Sequence, residues 1–139
     1  MIELKNYKMF IGGEWLDSDS KKTFETLNPE NNKPWAKVPE ASASDVDKAV
    51  KAAHKAFEGE WSKLLPRDRA KYLRAIGNKL RENAELLGRI ETIDTGKLFR
   101  ETNKQAIYIA EYYDYYAGLA DKVEGTVLPI DKPNIQAIT

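Results

Sequence analysis

The chain contains no cysteine. That excludes disulfides, thiolate-ligated metals and a thiol nucleophile supplied by these residues, and it fits a reducing compartment. Histidine occurs once, at His54, so no histidine-rich metal spacing exists. An excess of charge of one sign is also lacking. The 22 basic and 22 acidic residues balance, leaving nothing to draw the chain to nucleic acid or an anionic membrane. Long apolar runs are missing: the longest, Ala106 to Ala110, falls far short of the ~20 residues needed to cross a bilayer. Met1 to Lys8 alternate charged and apolar side chains, unlike a secretory leader, and the expected location is cytoplasmic. No Gly-x-Gly-x-x-Gly dinucleotide fingerprint and no Gly-x-Ser-x-Gly elbow occur. Gly96-Lys97 does not complete a phosphate loop, because position 91 is Glu rather than Gly and position 98 is Leu rather than Ser or Thr.

What is present reads as one ordinary soluble domain: 139 residues, 42% hydrophobic and 32% charged. The pattern predicts an α+β arrangement of short strands over 1–41, four helices over 42–121 and an extended arm over 122–139. Met9-Phe10-Ile11 leads through Gly12-Gly13, a turn signal, into Glu14-Trp15-Leu16, which reads as a tight hairpin or as one strand with a bend. Thr23 to Leu27 alternates and ends at the Asn28-Pro29 turn, and Trp35 to Val38 is a third strand stopped by Pro39. These three are expected to form one small sheet. Ser44, three residues before Asp47, predicts the cap of a first helix carrying Val46, Val50, Ala53 and Phe57 and ending at Gly59. Pro66 opens a second helix with Leu73, Ile76 and Leu80 as its buried stripe. Asn83 is placed to cap a third, with Leu86, Ile90 and Ile93, closed by Gly96. A long fourth helix runs from about Phe99 to Ala120, with Ala106, Ile109, Ala110, Tyr113 and Ala117 on one face. Two extended pieces follow, Thr126 to Ile130 and Ile135 to Thr139.

Few side chains invite chemistry. His54 flanks an apolar stripe and reads as a partly exposed helix residue. Asp45 and Asp47 suit capping and the helix dipole better than a cation pair. The tyrosines at 108, 112, 113, 115 and 116 are interleaved with Glu111 and Asp114, which favours packing over base stacking. Arg67, Arg69, Lys71 and Arg74 read as a solvated face or a salt-bridging surface toward another domain. Asp94 stands out. At a helix C-terminus its charge meets the negative end of the dipole and needs a partner. Lys97 or Arg100 would supply one as an ion pair, and a bound cation is the other solution.

A series of segments resembles the aldehyde dehydrogenases. Phe10 to Trp15 is similar to their opening strand and turn, and Thr26-Leu27-Asn28-Pro29 to the Asn-Pro turn that follows. Asp45 to Val50 with Ala52-Ala53, Ala56-Phe57 and Trp61 resembles their first helix. Glu91-Thr92-Ile93-Asp94-Thr95-Gly96-Lys97 resembles their Glu-x-x-Asp-x-Gly-Lys segment. Tyr116-Ala117-Gly118 and Gly125 to Pro129 complete the series, and the order and spacing carry more weight than any one segment. Leu98 departs from the pattern, since many members have Pro there.

The resemblance implies the N-terminal portion of an enzyme oxidising a small-molecule aldehyde to a carboxylate with NAD or NADP. In the family a cysteine thiolate attacks the carbonyl and hydride passes to nicotinamide. A glutamate then activates water, and a backbone N–H and an asparagine amide hold the oxyanion. All these groups, and the dinucleotide-binding core, belong to the part of the family's sequence after the segment matched here. The chain is therefore expected to be inactive alone and to bind neither cofactor tightly. Its expected partners are the remainder of an enzyme or further copies in an oligomer. The alternative is a non-catalytic module docking on dehydrogenase subunits. The resemblance also implies a monovalent cation at Thr26, Leu27 and Asp94, a substrate tunnel bordered by Tyr108, Ile109 and Tyr112, and an oligomerisation arm over 126–139.

Overall fold

Gly12 and Gly13 take φ values of 62° and 94°. A two-residue type I′ turn demands two such left-handed residues, and glycine supplies them without a Cβ clash. They join β2 (Met9–Ile11) to β3 (Glu14–Leu16) in an antiparallel hairpin that follows β1 (Lys5–Asn6). The computed structural model describes residues 4–128 and 130–138. Phe10 and Trp15 lie opposite each other across the hairpin with ring centroids 4.9 Å apart.

The hairpin stands apart from the second sheet, contrary to the single sheet expected. That sheet has the order β1-β5-β4, with β4 (Thr23–Asn28) antiparallel to β5 (Lys33–Pro39) and β1 parallel to it on the other side. β1 gave no sequence signal because two polar residues carry no alternation. The β4–β5 turn is built by Asn28, whose buried Oδ1 accepts the Glu30 N–H at 2.9 Å. Pro39 is the last residue of β5 rather than its stop, a position where the missing N–H breaks no ladder bond inside the strand. Central β5 buries Trp35 and Ala36.

Helix α1 (Ala43–Glu58) starts two residues earlier than the Ser44 cap predicted. Ser42 is the cap: its Oγ accepts the Asp45 N–H at 3.3 Å, while Asp45 Oδ2 accepts the Ser42 N–H at 2.8 Å. Both candidate registers fit the local rule. Tertiary bonds decide between them, because Asp45 also receives the Ser18 hydroxyl at 2.9 Å. A single turn, α2 (Glu60–Lys63), follows Gly59, and α3 (Pro66–Glu82) carries Pro66 at its start. Asn83 precedes α4 (Ala84–Thr95) without capping it. Its side-chain amide instead donates to the Lys79 carbonyl at 2.8 Å, finishing the helix behind it. Helix α5 (Phe99–Leu119) leads to a two-stranded antiparallel ribbon, β6 (Val127–Leu128) with β7 (Ala137–Ile138). Pro129, inside the first predicted extended piece, and Thr139, the last residue of the second, lie outside the described residues.

Helix α5 packs against both α3 and α4, and α4 reaches β4. The residues buried on these helices are small: Ala70 and Gly77 on α3, Ala84 and Gly88 on α4, and Thr102, Ala106, Ala110 and Ala117 on α5. A Cβ on Gly88 would sit 2.8 Å from the Asn103 backbone nitrogen, so only glycine permits this approach. The predicted stripes are displaced accordingly. Ile76 is 44% exposed and Leu86 is 54% exposed, while Leu73, Leu80, Ile90 and Ile93 are half-buried. On α1 the run Val46, Val50 and Phe57 faces outward, and Asp45 is its one buried residue.

Candidate functional site

Asp94 is the next-to-last residue of α4, and Gly96 after it adopts φ 74° while donating its N–H to the Thr92 carbonyl. The left-handed turn brings the chain against the Asn28-Pro29 turn: a Cβ on Gly96 would lie 3.0 Å from Pro29 Cγ. Two segments 60-odd residues apart in sequence thereby meet. Across this junction the Thr26 hydroxyl donates to Asp94 Oδ1 at 2.6 Å, and the Trp35 indole N–H donates to the same oxygen at 3.2 Å.

The partner of Asp94 is thus a pair of neutral donors, not the ion pair expected. Lys97 turns back to Glu91 Oε1 at 2.7 Å, and no ion pair forms to Arg100 among the described residues. The structure brings Thr26 and Asp94 together. Leu27 follows Thr26 across a register shift: Thr26 pairs with Ala36 and Leu27 with Pro34, which leaves Trp35 as the extra residue on β5. A cavity of about 370 Å³ opens beside the junction, lined by Tyr7, Thr26, Trp35, Ile90 and Asp94 among others. Asp94 Oδ2 makes no hydrogen bond or ion pair among the described residues. A free carboxylate oxygen beside a hydroxyl supplies hard-oxygen donors of the kind alkali and alkaline-earth cations take. Among the described residues no group of three or more His, Asp or Glu gathers to hold a metal.

Tyr108 and Tyr112 share an exposed face of α5, with hydroxyls 3.0 Å apart and rings edge-on at 89°. The Tyr108 hydroxyl pushes the Tyr112 phenol above its ordinary pKa, through their hydrogen bond first and then by charge. Ile109 is also exposed. The packing expected for the tyrosines is therefore not met within this chain: Tyr115 and Tyr116 are exposed too, and Tyr113 is half-buried. His54 is exposed, as read. Arg69 departs from the solvated face: it is half-buried, with its guanidinium 6.0 Å from the Trp61 ring centre, while Lys71 pairs with Asp68 at 2.7 Å.

Two nodes were missed in the sequence. In the sequence Trp35 reads only as a strand residue; a buried indole N–H needs an acceptor, and that is its available signal. Asp45 reads only as a residue of the first helix turn, yet it also ties the Ser18-Asp19 loop to α1 through Ser18 Oγ and the Asp19 N–H. Hydrogen bonds from Ser42, Ser18 and Asp19 hold its carboxyl well below the usual carboxylate range.

The family model for the aldehyde dehydrogenase family matches residues 15–139. This chain belongs to the aldehyde dehydrogenase family. It is 43% identical over 135 residues to (Z)-2-((N-methylformamido)methylene)-5-hydroxybutyrolactone dehydrogenase of Acinetobacter baylyi, covering 96% of this chain and 27% of that protein. An aldehyde dehydrogenase of Aspergillus niger is 41% identical over 120 residues, 86% of this chain and 24% of that protein. Among solved structures, a betaine aldehyde dehydrogenase of Staphylococcus aureus in complex with NAD+ matches at 39% identity and TM-score 0.83, over 91% of this chain and 26% of its own. An NAD-dependent aldehyde dehydrogenase of Sinorhizobium meliloti matches at 27% identity and TM-score 0.90, over 99% and 28%. The chain spans about a quarter of the length of these aldehyde dehydrogenases and corresponds to their N-terminal portion. The α+β arrangement and the family resemblance read from the sequence are both upheld. No helix of the described residues is long and apolar enough to cross a membrane.

Proposed function

We propose that this chain is the scaffold-side part of a cytoplasmic NAD- or NADP-dependent aldehyde dehydrogenase and does not catalyse alone. Its strands (1–41), helices (42–121) and arm (122–139) would support a dinucleotide-binding core and a catalytic domain supplied by other sequence. The observation that carries the reading is the family match over a chain without a single cysteine. The family's thiolate must then come from elsewhere. Tyr108, Ile109 and Tyr112 on the open face of α5 are assigned to the wall of the substrate tunnel. Thr26, Leu27 and Asp94 are assigned to a monovalent cation that would bridge β4 and the end of α4. No glycine-rich cradle for a dinucleotide occurs in the sequence, so no step of hydride transfer is placed on these residues.

The test is complementation. The purified chain is assayed for NADH formation with a panel of aldehydes, alone and mixed with a separately produced polypeptide covering the remaining three quarters of a relative. Activity is expected only in the mixture. Turnover by the 139-residue chain alone would overturn the proposal.

A second reading, a non-catalytic module docking on complete dehydrogenase subunits, is favoured by the exposed tyrosine and isoleucine face of α5. It predicts capture of an intact full-length subunit without any gain of activity in the complementation mixture.

A further inference from the structure

Trp35 is 9% exposed, on the central strand of its sheet, and its ring is met edge-on by Tyr7 at 6.1 Å between centroids. Such a side chain has little freedom to reorient. Its indole N–H and the Thr26 hydroxyl both point to the same oxygen of Asp94. Two donors on one oxygen determine the rotation of a carboxylate, whereas one donor leaves it free to swing. Both donors are uncharged, so neither brings a counter-charge to the carboxylate at the C-terminal end of α4, where the helix dipole disfavours an anion.

We infer that Trp35 is a positioning residue: together with Thr26 it locks Oδ1 of Asp94, and so presents Oδ2 to a monovalent cation. The inference rests on the cation assignment made above. It adds a residue that is 59 positions away in sequence and touches no cation itself. It also makes the buried indole a reporter, because a charge arriving at Oδ2 changes the field at the ring that is bonded to Oδ1.

The experiment uses the whole chain and sodium chloride as the probe, with potassium chloride as competitor and choline chloride as the ionic-strength control. Sodium-23 NMR line broadening gives the affinity. In a Trp15→Phe/Trp61→Phe chain the remaining Trp35 emission is expected to shift with the same midpoint. Removing the N–H by Trp35→Phe, or by replacing Trp35 with benzothienylalanine, which keeps the shape and lacks the donor, is expected to weaken sodium binding roughly three- to tenfold, the worth of one hydrogen bond. In an Asp94→Asn background the same replacement should change nothing. Unchanged sodium affinity in the benzothienylalanine chain would overturn the role of Trp35 and leave the cation assignment standing. A native chain that responds no differently from Asp94→Asn would sink the cation assignment, and this inference with it.

Discussion

Asp45 shows how much one carboxylate can organise. It accepts from the Ser42 N–H, the Ser42 and Ser18 hydroxyls and the Asp19 N–H, all of which favour its charged form. Its folded pKa therefore lies below the unfolded value of about 3.9. The sign follows from linkage: the folded state binds fewer protons, so the contribution is complete above the unfolded value. It is lost as pH falls through that value toward the depressed folded one. Thermal midpoints taken from about pH 7 down to about pH 3 should fall, and Asp45→Asn should flatten that fall while lowering the midpoint at neutral pH. Part of the slope will survive, because the Lys48 ammonium also holds the Asp19 carboxyl below its ordinary value. Equal slopes for native and Asp45→Asn chains would show that acid sensitivity arises elsewhere. Ser42→Ala removes the cap without removing the charge and should cost about 1 kcal/mol in urea unfolding.

Between elements, the closest approach is that of α4 to α5 at Gly88. Thr102, fully buried, sits there with its Oγ1 2.9 Å from the Gly88 carbonyl and 3.0 Å from Thr92 Oγ1. Gly88→Ala places a methyl group against the Asn103 backbone, which cannot yield as a side chain tip can. The expected loss is roughly 1–3 kcal/mol, as for other overpacked sites, with helix content retained. A neutral effect would mean that the two helices can slide apart freely. The same contact explains where sequence reading stopped. Turn chemistry was legible: Gly12-Gly13, Pro66 and Gly96 stand where the rules for hairpins and helix ends put them. Helix existence was legible from periodicity. Helix faces were not, because Leu73, Ile76 and Leu86 attract a hydrophobicity rule, while close backbone approach selects Gly77 and Gly88, and the other buried positions on these two helices, Ala70 and Ala84, are also small. The junction at Asp94 was half legible. The strained position of a carboxylate at a helix end could be read locally, but its actual donors, Thr26 and Trp35, are 68 and 59 residues away. Nothing local ranks them above the nearby Lys97.

For the molecule as a whole, surface is the telling quantity. A compact monomer of 15.8 kDa exposes roughly 7300 Å² by the usual scaling of area with mass, and this chain exposes 11105 Å². The excess includes large apolar side chains, among them Phe57, Tyr108, Tyr115 and Val127, while the buried apolar residues are mostly alanine. Burial of small side chains yields little hydrophobic free energy, since the gain follows the apolar area removed from water. The isolated chain is therefore expected to bind the dye ANS strongly and to associate with rising concentration in sedimentation velocity runs. Replacing Tyr108 and Tyr112 by Ser separates surface from core. Both are exposed and bonded chiefly to each other, so stability should change by no more than ~0.5 kcal/mol. Dye binding and self-association should nonetheless fall, and complementation by the remaining sequence of a relative should weaken, because the face proposed to meet it has become polar. If the double variant unfolds, the two tyrosines hold this fold together themselves. If complementation is untouched, that face is not where the added polypeptide docks.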